Sequence, residues 1–197
     1  MFKKIYLLNI RVQAKLRALW VNRINGTGFT SVGRLCKIRG AGIRTGESVN
    51  IGDFCWIEAV NRYPAFSGVQ QFSPVISFGN NISLSDSVHI SAVQHIEIGN
   101  DTLIGSRVYI GDHSHGNYAN RAACAAESQH APIARPLADI AAIQIGERCW
   151  IGDGVVILAG AVIGDNCVVG ANSVVKGVFA SNVVIAGAPA KAIKSLT

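Results

Sequence analysis

The sequence predicts an all-β fold: a parallel β-helix of hexapeptide repeats with a short N-terminal helix and one long extruded loop. Two observations carry it, an aliphatic residue recurring every sixth position and a small residue at the fifth position of the same unit. From residue 145 the chain reads IGERCW, IGDGVV, ILAGAV, IGDNCV, VGANSV, VKGVFA. An earlier block reads IGNDTL, IGSRVY, IGDHSH from Ile98, Ile104 and Ile110, and weaker copies open at Ile51, Ile57, Phe78, Leu84 and Ile90. A period of six matches neither the 3.6 of a helix nor the 2.0 of a continuous half-buried strand. It matches short strands that turn a corner every sixth residue, three to a coil, with the aliphatic side chain inside a narrow prism. Coils of this kind stack about 4.8 Å apart through parallel hydrogen bonds. The glycine that follows most aliphatic positions is expected to supply the corner conformation at no Cβ cost. Cys55, Cys149 and Cys167 fall at the small position and read as core filler rather than reactive thiols.

Taken in order, residues 1–25 form the helix, and Ile5, Leu8, Val12, Leu16, Leu19 and Trp20 share one stripe at helical spacing. Lys4, Arg11 and Lys15 lie along its edge. Two roles fit: a cap on the open end of the solenoid, whose stripe covers the edge strand, or an interfacial helix on anionic lipid. Residues 26–197 form the β-helix domain. Its frame breaks at 59–75, expected as a loop with two prolines, and at Ile96–Glu97, a two-residue slip. The largest break leaves 35 residues between Ile110 and Ile145, giving a loop over 112–141. Long excursions from a rigid body are usually functional, and this one opens with two close histidines, His113 and His115.

Composition narrows the class. The chain has 197 residues, 15% charged and 49% apolar, which rules out a disordered polyelectrolyte. Lys3, Lys4, Arg11, Lys15, Arg17 and Arg23 put six cations and no acid in residues 1–25; the other 172 residues balance at 12 basic and 12 acidic. That is one basic terminus on a neutral body, not a nucleic-acid-binding surface. Five scattered cysteines without a CxxC pair suggest neither a disulfide framework nor structural zinc. Cations at Arg11, Lys15 and Arg17 interrupt what would be a secretory signal, so a cytoplasmic protein is expected.

The repeats, the loop and the tail resemble the hexapeptide-repeat acyltransferases, left-handed parallel β-helices, and among them the sugar O-acetyltransferases of maltose, galactoside and surface-polysaccharide type. The likeness covers about residues 30–197. It rests on YIGDHSHG at 109–116, IGERCWIGDGVVILAGAVIG at 145–164, VVGANSVV at 168–175 and VIAGAPAKAIK at 184–194. It implies an acetyl-CoA-dependent O-acetyltransferase acting on a sugar hydroxyl, in a bacterial surface polysaccharide or its precursor, with no metal required. It places the general base at His113, consistent with imidazole as a proton acceptor near neutral pH. A deprotonated hydroxyl attacks the thioester directly, so no Ser or Cys nucleophile is needed. His115 and Trp150 are expected near the acceptor, and Asp112 is a candidate there or as the group that orients the base. The resemblance also implies coenzyme A contacts at Asp153, Gly160, Ala171, Lys176, Gly177, Lys191 and Lys194, the last two in the tail 186–197. Here KGV stands where relatives carry TKD, and lysines stand where some carry arginines.

Two other classes fit less of the chain. A zinc enzyme of the γ-carbonic-anhydrase kind would use His89, His95 and His113, which do not share a repeat frame. A non-catalytic solenoid module would bind acetyl-CoA without releasing thiol. A homotrimer is expected: the prism has three flat faces, the loop covers little of its own coil, and a three-fold axis closes the assembly.

Overall fold

The computed structural model describes the backbone of residues 2–197 and the side chains of residues 8–197. It is a three-sided parallel β-helix. The chain visits face one, face two and face three in turn, giving parallel sheets of seven, six and six strands; an antiparallel return strand completes the first. The hexad-opening residues form the inward columns. On face one Ile51, Leu84, Ile104, Ile151, Val169 and Ile185 pair in register. Face two aligns Ile57, Ile90, Ile110, Ile157 and Val175. Face three aligns Phe78, Ile98, Ile145, Ile163 and Phe179. All but Phe179 are buried, as are Cys55, Cys149 and Cys167. The slip at Ile96–Glu97 has a structural cause. Face-three strands such as His95–Ile98 are long enough to bury two residues, so Ile96 joins a second inward column with Ile43, Ile76 and Ile143.

The role expected for the hexad glycines is corrected. Gly99, Gly105, Gly146, Gly164 and Gly170 do not take positive φ; the left-handed residue of each corner lies two positions on, at Asp101, Arg107, Arg148, Asn166 and Asn172. The glycines answer to close approach between coils. A Cβ on Gly105 would stand 2.4 Å from the Asp153 carboxylate and 2.8 Å from its backbone nitrogen.

Helix α1 (Phe2–Asn25) ends on Gly26, whose positive φ lets its N–H reach Asn22 O. It does cap the solenoid, but not with the expected stripe. Ala18 is 2% exposed and joins the core with Val21; Arg17 Nε donates to Val32 O, and Asn22 exchanges hydrogen bonds with Phe29. Leu8, Val12, Leu16, Leu19 and Trp20 face outward. The Ile5 and Lys4 side chains lie outside the described residues. At the other end, Ala190–Ser195 folds back antiparallel on Val183–Gly187. Among the described residues no helix is long and apolar enough to cross a membrane.

Residues 59–75 are also more ordered than a loop. Arg62–Ala65 and Gly68–Gln71 form an antiparallel hairpin. Both this hairpin and the segment 112–141 leave the prism at the edge between faces two and three, and they pack together. Gln70 clamps the Leu137 backbone, donating to its O at 3.0 Å and accepting from its N–H at 2.7 Å. Phe66 stacks on His130 with ring centroids 3.6 Å apart. The long loop therefore rests on the hairpin of its own chain rather than on the coils. It holds helix α2 (Arg121–Ser128), N-capped by Asn120, and a short antiparallel pair, Ser114–His115 with Leu137–Ala138.

Candidate functional site

The site begins where the face-two strand Tyr109–Gly111 ends. Instead of turning the corner, the chain swings outward, and the first residue off the strand is Asp112, 0% exposed. Its carboxylate fills the corner of the preceding coil: Oδ1 accepts from Val93 N–H at 2.9 Å, and Oδ2 from Gln94 and His95 N–H at 2.8 and 2.9 Å. The fourth partner is His113 Nδ1, 3.0 Å from Oδ1. A carboxylate already accepting three N–H groups takes the imidazole as a fourth donor. His113 thus carries its proton on Nδ1 and leaves the Nε2 lone pair to accept one. The His113 side chain is 7% exposed, held at the edge with little freedom to turn. Asp112, expected near the acceptor or beside the base, is buried with its carboxylate oxygens on four donors, one of them the imidazole.

His115 is fixed differently. Tyr63 of the hairpin donates its hydroxyl proton to Ile133 O, and the same oxygen lies 3.1 Å from His115 Nδ1. A hydroxyl has one proton, so here it accepts, and His115 also keeps its hydrogen on Nδ1 with Nε2 open. Burial, followed by the nearby His113, lowers the His115 pKa below the ordinary imidazole value. The two rings lie 6.5 Å apart. Tyr109 reaches along the strand so that its hydroxyl would lie 2.2 Å from a Cβ on Gly111. His89 stacks on Trp56 at 4.6 Å, and burial lowers its pKa. His95 faces Glu97 at 3.8 Å. Among the described residues no three His, Cys, Asp or Glu side chains gather to hold a metal.

The remaining expected residues divide between two edges of the prism. Gly160 follows the strand Val156–Leu158 on the His113 edge, one coil further on; its N–H donates to Ala141 O, and Ala141 N–H donates to Asp112 O. Lys176 and Gly177 occupy the same edge one coil beyond, where Gly177 O accepts from Val162 N–H. Trp150, Asp153 and Ala171 instead line a cavity of about 270 Å³ at the edge between faces one and two, with Trp150 55% exposed. Asp153 Oδ1 also accepts Ser106 N–H at 2.7 Å, so it ties two coils together. Lys191 and Lys194 are exposed on the C-terminal return strand. The third edge carries a groove of about 530 Å³, lined in part by Glu97, Glu147 and Asp165, a poor surface for phosphates.

Sequence reasoning missed Tyr63, Phe66 and Gln70, the residues that brace the loop. The signal available was Ser67–Gly68, a turn dipeptide between two short extended runs.

Residues 142–177 match the family model described as bacterial transferase hexapeptide (six repeats). The chain is 44% identical over 89 residues to the putative lipopolysaccharide biosynthesis O-acetyl transferase WbbJ of Escherichia coli K12. It is 48% identical over 54 residues to the galactoside O-acetyltransferase of the same organism. These matches cover 45% and 27% of this chain and 44% and 27% of the relatives, so the chain spans less than half the length of each. A mutant of AntD, an N-acyltransferase from Bacillus cereus, in complex with dTDP-4-amino-4,6-dideoxyglucose and coenzyme A, has the same fold. It aligns with a TM-score of 0.65 at 16% identity, over 90% of this chain and 88% of that one. The likeness to hexapeptide-repeat acyltransferases read from the sequence thus holds in both repeat and fold.

Proposed function

We propose that the chain is an acetyl-CoA-dependent O-acetyltransferase that modifies a sugar hydroxyl of a surface polysaccharide or its precursor. The observation that carries this reading is the Asp112–His113 pair, an imidazole with its Nδ1 proton tied down and Nε2 left to take a proton. The acceptor hydroxyl oxygen attacks the thioester carbonyl carbon while its proton passes to His113 Nε2. Asp112 steadies the imidazolium that forms. The tetrahedral intermediate then expels the coenzyme A sulfur, which recovers the proton from His113; the products are an acetyl ester and free thiol. The matches to WbbJ and to galactoside O-acetyltransferase support a carbohydrate acceptor.

Coenzyme A lies along the His113 edge past Gly160, Lys176 and Gly177, with Lys191 and Lys194 as point charges for its phosphates. Asp153, Ala171 and Trp150 belong to the same site but sit across face two, on another edge of their own chain. A three-fold assembly would bring that edge of one protomer against the His113 edge of the next, so the working unit is a homotrimer with sites between chains. The reaction belongs at the inner face of the cytoplasmic membrane, where acetyl-CoA and lipid-linked glycans meet. The test is thiol release from acetyl-CoA across a panel of bacterial surface glycans. Thiol formed in step with ester on one glycan supports the reading; bound acetyl-CoA with no thiol release on any glycan favours a non-catalytic module.

Tyr63 supplies a further expected result. Tyr63→Phe frees the His115 ring and should raise acceptor KM by about 3–10-fold, the value of one hydrogen bond, with kcat little changed. Because burial holds the His115 pKa down, acceptor KM in the native chain should stay level as pH falls through about 6.5, the ordinary imidazole value. It should rise only below that, and steady-state kinetics from pH 8 to 5 would show it.

A further inference from the structure

Helix α1 presents two faces with different fates. Ala14, Arg17, Ala18, Val21 and Asn22 pack on the first coil. The opposite face leaves Leu8, Val12, Leu16, Leu19, Trp20 and Ile24 in the open, with Leu19 and Ile24 each 66% and Trp20 73% exposed. This apolar face runs about 24 Å along the helix at 1.5 Å per residue, which is more than the scattered single hydrophobics a soluble surface carries. Arg11 and Lys15 flank it on one side, and Arg23 sits within it. Residues 1–25 contain no acid, while the rest of the chain is neutral overall.

We propose that this face docks the β-helix, by its N-terminal end, onto an anionic lipid bilayer. The helix would lie in the plane of the interface rather than cross it: its residues are not apolar enough to span. Apolar side chains enter the acyl boundary, Trp20 sits at headgroup level, and the cations meet lipid phosphates. Charge decides between a membrane and a second copy. Two such faces brought together would oppose Arg11, Lys15 and Arg23 to the same cations with no acid between them, whereas anionic lipid neutralises all three. The inference stands apart from acetyl transfer and does not need it.

The test is co-sedimentation of the full chain with phosphatidylcholine vesicles, with and without phosphatidylglycerol. Binding is expected only when phosphatidylglycerol is present, and it should weaken as salt rises. Leu16 and Trp20 make no core contacts, so the Leu16→Glu, Trp20→Glu double variant should keep the native melting temperature and oligomeric state while losing about tenfold or more in vesicle affinity. Equal binding to neutral vesicles would overturn the proposal. So would an absence of vesicle binding, and a double variant that falls apart into smaller species would show that the face joins copies of the chain instead.

Discussion

Replacing His113 with alanine is expected to lower kcat by about 100-fold or more, the usual cost of losing a general base, while coenzyme A affinity changes little. The imidazole is held by Asp112, and in the proposed reaction it offers its Nε2 lone pair to the hydroxyl, not to the donor. His115→Ala should behave otherwise. Its ring is tied to Tyr63 on the hairpin rather than to the buried corner, so the loss should fall mainly on acceptor KM. Steady-state kinetics of the two single variants read both parameters. If His115→Ala costs more in kcat than His113→Ala, the base has been placed on the wrong histidine.

Asp112→Asn should be nearly as damaging, and in two measurable ways. The amide offers one acceptor oxygen and turns an NH2 group toward atoms that are themselves donors. Two of the four present partners, Val93, Gln94 and His95 N–H and His113 Nδ1, would then lack an acceptor. Each unmet donor in so enclosed a corner costs about 1–3 kcal/mol, so the melting temperature should fall. The imidazole would also lose the partner that fixes its tautomer, and kcat should drop by about 10²–10⁴-fold. Kinetics measured well below the variant's melting temperature separate the two effects. A variant that melts earlier but turns over at the native rate would show that Asp112 only supports the fold.

The prism was legible because its constraint repeats: every sixth residue meets the same interior, so Ile98, Ile104 and Ile110 announce a coil before any contact is known. Both excursions were visible as interruptions of that frame. Their internal structure was not, because Tyr63 with His115 and Gln70 with Leu137 join residues more than fifty positions apart and each contact occurs once. Asp112 is legible as a candidate to orient the base, but its pairing with the next residue is not, because side chains adjacent in a strand point opposite ways. The strand ends at Gly111, and beyond it the rule lapses. The outer stripe of α1 is legible, but whether it covers the solenoid or meets lipid is not. Helical spacing reveals an apolar face without saying what covers it, and Ala18 and Asn22 do the capping by fitting closely.

In the proposed trimer, His113 of one protomer works with the Trp150, Asp153 and Ala171 edge of the next. Mixed assemblies test it most directly. His113→Ala removes the base, and Ala171→Trp fills the cavity beside Trp150 on the other edge, so each variant alone should release almost no thiol from acetyl-CoA. Trimers reassembled from equal amounts of the two should recover about one quarter of the native rate, since that fraction of interfaces pairs an intact His113 edge with an intact Ala171 edge. No recovery in assemblies shown by native mass spectrometry to contain both chains would contradict the shared site, as would full activity in a monomer at micromolar concentration.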